Sequence, residues 1–170
     1  LSDSDMAHIY NAKICCDLRT RLFISYANTW ANNLKKKKLR VYMQIKDVYA
    51  NEKYFMLNLE RNQNSILAQL RTGVLPLHVE TGRFENKKLE DRKCKVCNTD
   101  AVEDEYHFLF HCSYYENLRQ KLFDESSTGE MLDEDRLKIL LRSHTRKFSK
   151  YVCNIFNKRK DCLYANVGHD

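Results

Sequence analysis

The sequence predicts a mainly α fold, a helical bundle into which a small cysteine- and histidine-bearing motif is set. Three observations predict it. Apolar residues recur every three or four positions along most of the chain. One proline and four glycines leave too few turn-formers for a many-stranded β-fold. Three of the seven cysteines crowd into positions 94–112. A chain of 170 residues suits one compact domain with its own core. Its expected organisation is an N-terminal helical segment (1–66), a motif region (67–122) and a C-terminal helical segment (123–170).

Taken in order, Met6, Ile9, Ile14, Leu18, Leu22, Tyr26 and Trp30 form the stripe of an amphipathic helix over 5–34. The four lysines at 35–38 read as a solvated inter-helix turn rather than a nuclear-import patch. Leu39, Tyr42, Ile45, Val48, Tyr49, Phe55 and Leu59 predict a second helix over 39–59, broken near Asn51. A shorter helix over 65–71 is expected to stop at Gly73, which takes a left-handed cap, before Pro76. Residues 74–84 then form a connection. Phe108, Leu109, Tyr115, Leu118 and Leu122 predict a helix over 107–123, and Ser126, Ser127, Thr128 and Gly129 a loop. Two closing helices follow, over 133–142 (Leu137, Ile139, Leu140, Leu141) and 147–163 (Phe148, Tyr151, Val152, Ile155, Phe156, Cys162, Leu163).

The formal charge of +6 is compatible with a polyanionic partner without requiring one. No apolar run is long enough to span a bilayer, and Asp3 and Asp5 make the start acidic, so neither a membrane contact nor a secretory leader is expected. An odd number of cysteines, with Cys15 and Cys16 adjacent, makes a poor disulfide framework. Reduced thiols and an intracellular location, nuclear or cytoplasmic, are the expectation. Because the chain begins on Leu1 rather than methionine, either a piece of a longer protein or a processed chain is expected.

The cysteines between 94 and 112 fall in the pattern C-x2-C-x9-H-x4-C, comprising Cys94, Cys97, His107 and Cys112. Two thiolates separated by two residues can curl around one ion in a tight turn. A histidine and a cysteine five apart, about one helical turn, can complete a tetrahedron. The spacing predicts zinc. Four ligands leave no position for water, so the role is structural rather than catalytic, and such sites contribute roughly 10 to 16 kcal/mol of apparent binding energy near neutral pH. His111, four after His107, offers a two-Cys, two-His alternative, and Cys112 is preferred over it. Between the ligands, Asp100, Glu103, Asp104 and Glu105 either start the helix carrying His107, by opposing its macrodipole, or are solvated surface charge.

The motif's surroundings carry a family resemblance. Leu70-Arg71-Thr72-Gly73, His78, Gly82-Arg83-Phe84, Arg92-Lys93-Cys94-Lys95-Val96-Cys97, the block from Glu103-Asp104-Glu105-Tyr106 through His107-Phe108-Leu109-Phe110-His111-Cys112, then Tyr115 and Arg119, occur in one order. In this the chain resembles the cysteine/histidine-rich tail of reverse transcriptases from non-LTR retrotransposons. Upstream, Lys38-Leu39-Arg40-Val41-Tyr42, Tyr49 and Glu52-Lys53-Tyr54 are similar to the stretch that precedes that tail. The resemblance implies an embedded zinc-knuckle-like motif ligated by Cys94, Cys97, His107 and Cys112, a polymerase domain upstream in a longer protein, and contact with RNA or DNA. The paired-aspartate polymerase signature and an endonuclease constellation are missing from these residues, so no catalysis is expected.

Two functions follow. In the first, Arg83, Lys87, Lys88, Arg92, Lys93 and Lys95 neutralise phosphates while Phe84 stacks on a base; Phe108, Phe110, Tyr114 and Tyr115 are read as core. In the second, zinc staples a helical bundle that docks on another protein surface. An enzyme built on Cys15, Cys16 or His78 is disfavoured, because no base accompanies the cysteines and His78 beside a proline turn reads as structural. Arg146, Lys147, Lys150, Lys158, Arg159 and Lys160 are read as the solvated face of the last helix.

Overall fold

A computed structural model describes residues 3–34, 39–46, 49, 53–123 and 131–165, with side chains in the first helix described from Ile14 onward. The chain is mainly helical, and among the described residues the one β feature is an isolated antiparallel bridge between Lys93 and Val102. The helices are α1 (Asp3–Leu34), α2 (Arg40–Ile45), α3 (Arg61–Thr72), α4 (His78–Thr81), α5 (Glu116–Phe123), α6 (Asp133–Ser143) and α7 (Thr145–Ala165). None of them is long and apolar enough to cross a membrane.

The core is α3 laid on α7, with α2 against α3 and with α5 and α6 against α7. On α3, Ile66, Leu67 and Leu70 are buried at helical spacing; on α7, which packs against it, Phe148, Val152, Ile155 and Phe156 are buried too. Each such side chain, removed from water, contributes about 1.5 to 3 kcal/mol of transfer free energy. α3 begins four residues before the apolar pattern does, because solvated Arg61 and Asn62 extend it without needing burial. It ends at Gly73 as expected, at φ 73°, where Gly73 N–H reaches the Leu70 carbonyl at 3.1 Å and Val74 N–H the Gln69 carbonyl at 3.0 Å.

Several expectations change. The second helix shortens to α2 plus a 3-10 turn at Lys53–Leu57. The 74–84 connection contains the single turn α4, flanked by fully buried Leu75 and Leu77. Only His144 separates α6 from α7. The helix expected over 107–123 is interrupted at Cys112, which takes an extended ψ of 119°. The lysine run at 35–38, the break near Asn51 and the loop at 126–129 lie outside the described residues. The stripe on α1 forms a helix but is not covered: Leu18, Leu22 and Tyr26 are each more than half exposed, whereas Phe23 and Trp30 meet the Tyr49 ring at 5.4 and 5.9 Å. Periodicity fixes which residues share a face and is silent on what that face meets.

Candidate metal centre

The centre is built from two pieces of chain. The first is the turn at 92–103, closed by Cys94 N–H on the Ala101 carbonyl (2.8 Å) and Glu103 N–H on the Arg92 carbonyl (2.9 Å), with Asp100 in the left-handed region at φ 52°. Asp100 suits that position, since aspartate tolerates a positive φ better than most residues. This turn presents Cys94 and Cys97. The second piece is His107–His111, a π turn in which Cys112 N–H bonds the His107 carbonyl five residues back at 2.7 Å. In a regular α-helix, residues five apart are rotated about 140° from one another. The wider turn and the extended Cys112 bring His107 and Cys112 to one side, and such turns recur at functional sites.

Asp104 starts this piece. Its Oδ1 accepts the His107 N–H at 2.8 Å and its carbonyl accepts the Phe108 N–H at 3.0 Å, so Asp104 does begin the segment that carries the histidine. The donor atoms of Cys94, Cys97, His107 and Cys112 all lie within 4.8 Å of one another, and every one but Cys94 is buried. Cys97 Sγ sits 3.3 Å from His107 Nε2. A tetrahedral zinc site has donor-to-donor edges of about 3.5 to 3.8 Å from its bond lengths, so these four atoms need only small shifts to close on one ion. All seven cysteines are free thiols. These residues can hold a metal ion.

Their protonation is mutually dependent. The Cys112 hydrogen bond brings the Cys94 thiol down to about 3, against the cost of burial and with help from His107. The same bond, together with burial, pushes Cys112 up. Hydrogen bonding to Cys94 raises His107, with burial opposing and Cys97 assisting. Protons shared among these donors are what a bound cation displaces, because thiolate and neutral imidazole are the forms that ligate a metal.

His111 is not part of this cluster. Its imidazole is exposed and its Nε2 lies 2.5 Å from Asp133 Oδ2 at the start of α6. The fourth ligand position therefore belongs to Cys112, which is fully buried.

No known family model, curated protein or solved structure matches the chain.

The six cations flanking the motif are not equivalent. Arg92 is committed to the fold: its guanidinium donates to the Val79 carbonyl at 2.7 Å and twice to the Lys87 carbonyl at 2.8 and 3.1 Å. Lys93 reaches the Asp100 carbonyl at 2.8 Å. Arg83 pairs with Glu80 at 2.6 Å, and Lys87 and Lys95 share Glu85 at 2.6 and 3.7 Å. Lys88 is exposed, and so is the Phe84 ring, at 81%. Of the aromatic residues assigned to the core, Phe108, Phe110 and Tyr115 are buried there; Tyr114 is exposed, with the Lys158 ammonium 4.5 Å above its ring.

Three residues gain roles that sequence reasoning did not give them. Glu103, one of two readings as surface charge, is 1% exposed and accepts both Arg159 Nε and Nη2, at 2.7 and 2.8 Å, and the His78 N–H at 2.7 Å. Arg159, assigned to a solvated face, is buried against it. Arg119 is also buried and donates to the Cys112 carbonyl at 3.1 Å and to Glu116. The Glu103 and Arg159 positions are 56 residues apart, and no local pattern links them. His78 is buried, and its Nδ1–H donates to the Lys93 carbonyl at 2.6 Å.

Proposed function

We propose that the chain is a non-catalytic zinc-binding module that contacts RNA or DNA through the loop at 83–95. The observation that carries it is the convergence of three thiols and one imidazole, from two separate turns, on a single buried point. Soft thiolate donors with one imidazole in a four-donor cluster favour zinc over calcium or magnesium, which take oxygen ligands. Four protein donors complete the shell, so the ion holds the motif together and leaves no site for an activated water. The test is metal analysis of the purified chain beside Cys94→Ser and His107→Ala. Near-stoichiometric zinc is expected in the parent alone, and a parent free of metal refutes the reading.

The nucleic-acid part is supported by arrangement. Arg83, Lys87, Lys88 and Lys95 are exposed on the loop that leads into the metal turn, and Phe84 stands among them with its ring open to solvent. Cations beside an exposed aromatic face suit a single strand, whose phosphates they neutralise while a base stacks. This agrees with the resemblance to a retrotransposon reverse-transcriptase tail, which also implies an upstream polymerase domain as a neighbour. Titrating single-stranded RNA across salt reads it: a log-log slope reporting several released counterions is expected, and absence of binding at low salt refutes it.

A second reading, a protein-interaction module stapled by zinc, is favoured by α1. Its Leu18, Leu22, Phe23, Ile24 and Tyr26 are open to solvent, an apolar surface that protein partners cover. It also accommodates the acidic partners that Lys87 and Lys95 find in Glu85.

A further inference from the structure

We propose that Arg159, on the last helix, is the counter-charge of the metal centre: its guanidinium, paired with Glu103 beside Cys94, offsets the negative charge that three thiolates and this carboxylate gather around one divalent cation. This rests on the zinc reading above.

Three thiolates and a neutral imidazole around a divalent ion leave about one negative charge in excess. Glu103 adds another beside it, its Oε1 lying 4.0 Å from Cys94 Sγ. A carboxylate that is 1% exposed and next to an anionic cluster is unfavourable on two counts, desolvation and repulsion. The fold answers with a cation from far along the chain. Arg159 meets both carboxylate oxygens, at 2.7 and 2.8 Å, in the two-pronged geometry that a guanidinium provides and an ammonium does not. Burial opposes the charge on Arg159, yet Glu103, then Tyr115 and Cys94, hold it more firmly protonated than usual.

The His78 N–H donates to Glu103 Oε2, the oxygen that Arg159 Nη2 also meets, and so helps to fix the carboxylate under the guanidinium. Arg159 acts through Glu103 and touches no ligand in the contacts described above, which makes it a positioning residue for the centre. Linkage makes the relation reciprocal: whatever Arg159 adds to metal affinity, bound metal adds to the seating of α7 on the motif.

A merely mechanical latch between α7 and the motif would predict a different outcome from a counter-charge. The experiment uses the full chain and measures zinc affinity by competition with a chromophoric chelator. Arg159→Gln is expected to weaken binding about tenfold, the low end for losing a direct partner of a ligand, because Arg159 stands one contact further out. Arg159→Lys keeps the charge but loses the two-pronged contact, so it is expected to bind zinc more tightly than Arg159→Gln, and affinity no better than that of Arg159→Gln overturns the counter-charge. Glu103→Gln keeps an acceptor oxygen for Arg159 and removes the competing anion, so it is expected to bind zinc at least as tightly as the parent. Equal weakening in Glu103→Gln and Arg159→Gln means a latch alone and overturns the proposal. So does parent-like affinity in Arg159→Gln. Should Arg159→Gln fail to fold, the sign of the Glu103→Gln change decides: tighter or equal sustains the proposal, weaker overturns it. A parent that binds no zinc defeats the metal reading itself, whereas a loaded parent with an unaffected Arg159→Gln defeats this inference alone.

Discussion

Gly82 sits at the C-terminal end of α4, and its missing side chain is required by the neighbours rather than by its backbone angles, which are ordinary for a helix at φ −63°. A methyl group placed there would lie 2.7 Å from Arg92 Cγ, 3.0 Å from Arg92 Cδ and 2.8 Å from the His78 carbonyl oxygen. Carbon atoms pack at about 3.5 to 4.0 Å, so Gly82→Ala must open close to an ångström on one side. The His78 carbonyl is backbone, tied by the Gly82 N–H at 2.8 Å, so Arg92 is the side that yields. Overpacking of this kind costs about 1 to 3 kcal/mol. Displacing the guanidinium from the Val79 and Lys87 carbonyls adds the loss of charged hydrogen bonds, about 1.5 to 3 kcal/mol each when buried and less where solvent replaces them. A total of about 2 to 4 kcal/mol is expected, a large share of a typical domain stability of about 5 to 15 kcal/mol. Urea denaturation of the zinc-loaded chain reads it. The decisive comparison is a double-mutant cycle with Arg92→Ala: removing the clashing side chain should cut the Gly82→Ala penalty by about 1 kcal/mol or more. Strict additivity, or a Gly82→Ala variant as stable as the parent, refutes the packing argument.

Other substitutions test other parts. His111→Ala should leave zinc stoichiometry intact and change stability by less than about 1 kcal/mol, since its contact with Asp133 is largely exposed; loss of metal would restore the two-histidine ligand set. Leu67→Ala, at a fully buried position of α3, should cost about 2 to 5 kcal/mol in the same denaturation assay; a cost below 1 kcal/mol would mean that the α3 to α7 contact is not the core. Phe84→Ala should leave stability within about 0.5 kcal/mol, because the ring is exposed. It should also weaken single-stranded RNA binding by about 1 to 3 kcal/mol. Unchanged RNA affinity would remove base stacking from the proposed interface.

The features legible in the residues alone are local ones. Helical spacing named inward residues of α6 and α7, Gly73 marked the end of α3, and the C-x2-C-x9-H-x4-C pattern named four side chains that do converge. These are properties of near neighbours, set by periodicity, by a left-handed cap and by ligand spacing, and they survive without knowledge of the rest of the chain. What the tertiary structure decided is everything that depends on a distant partner. Cys112 over His111 follows from a π turn that aims one side chain inward and leaves the other facing α6. The removal of Arg92 from the free basic surface follows from carbonyls that only folding brings to it. Glu103 and Arg159 look like ordinary surface charges when each is seen among its own neighbours, because a charge reveals its burial only when the element that covers it is in place. α1 shows the converse, an apolar stripe whose partner the stripe does not specify.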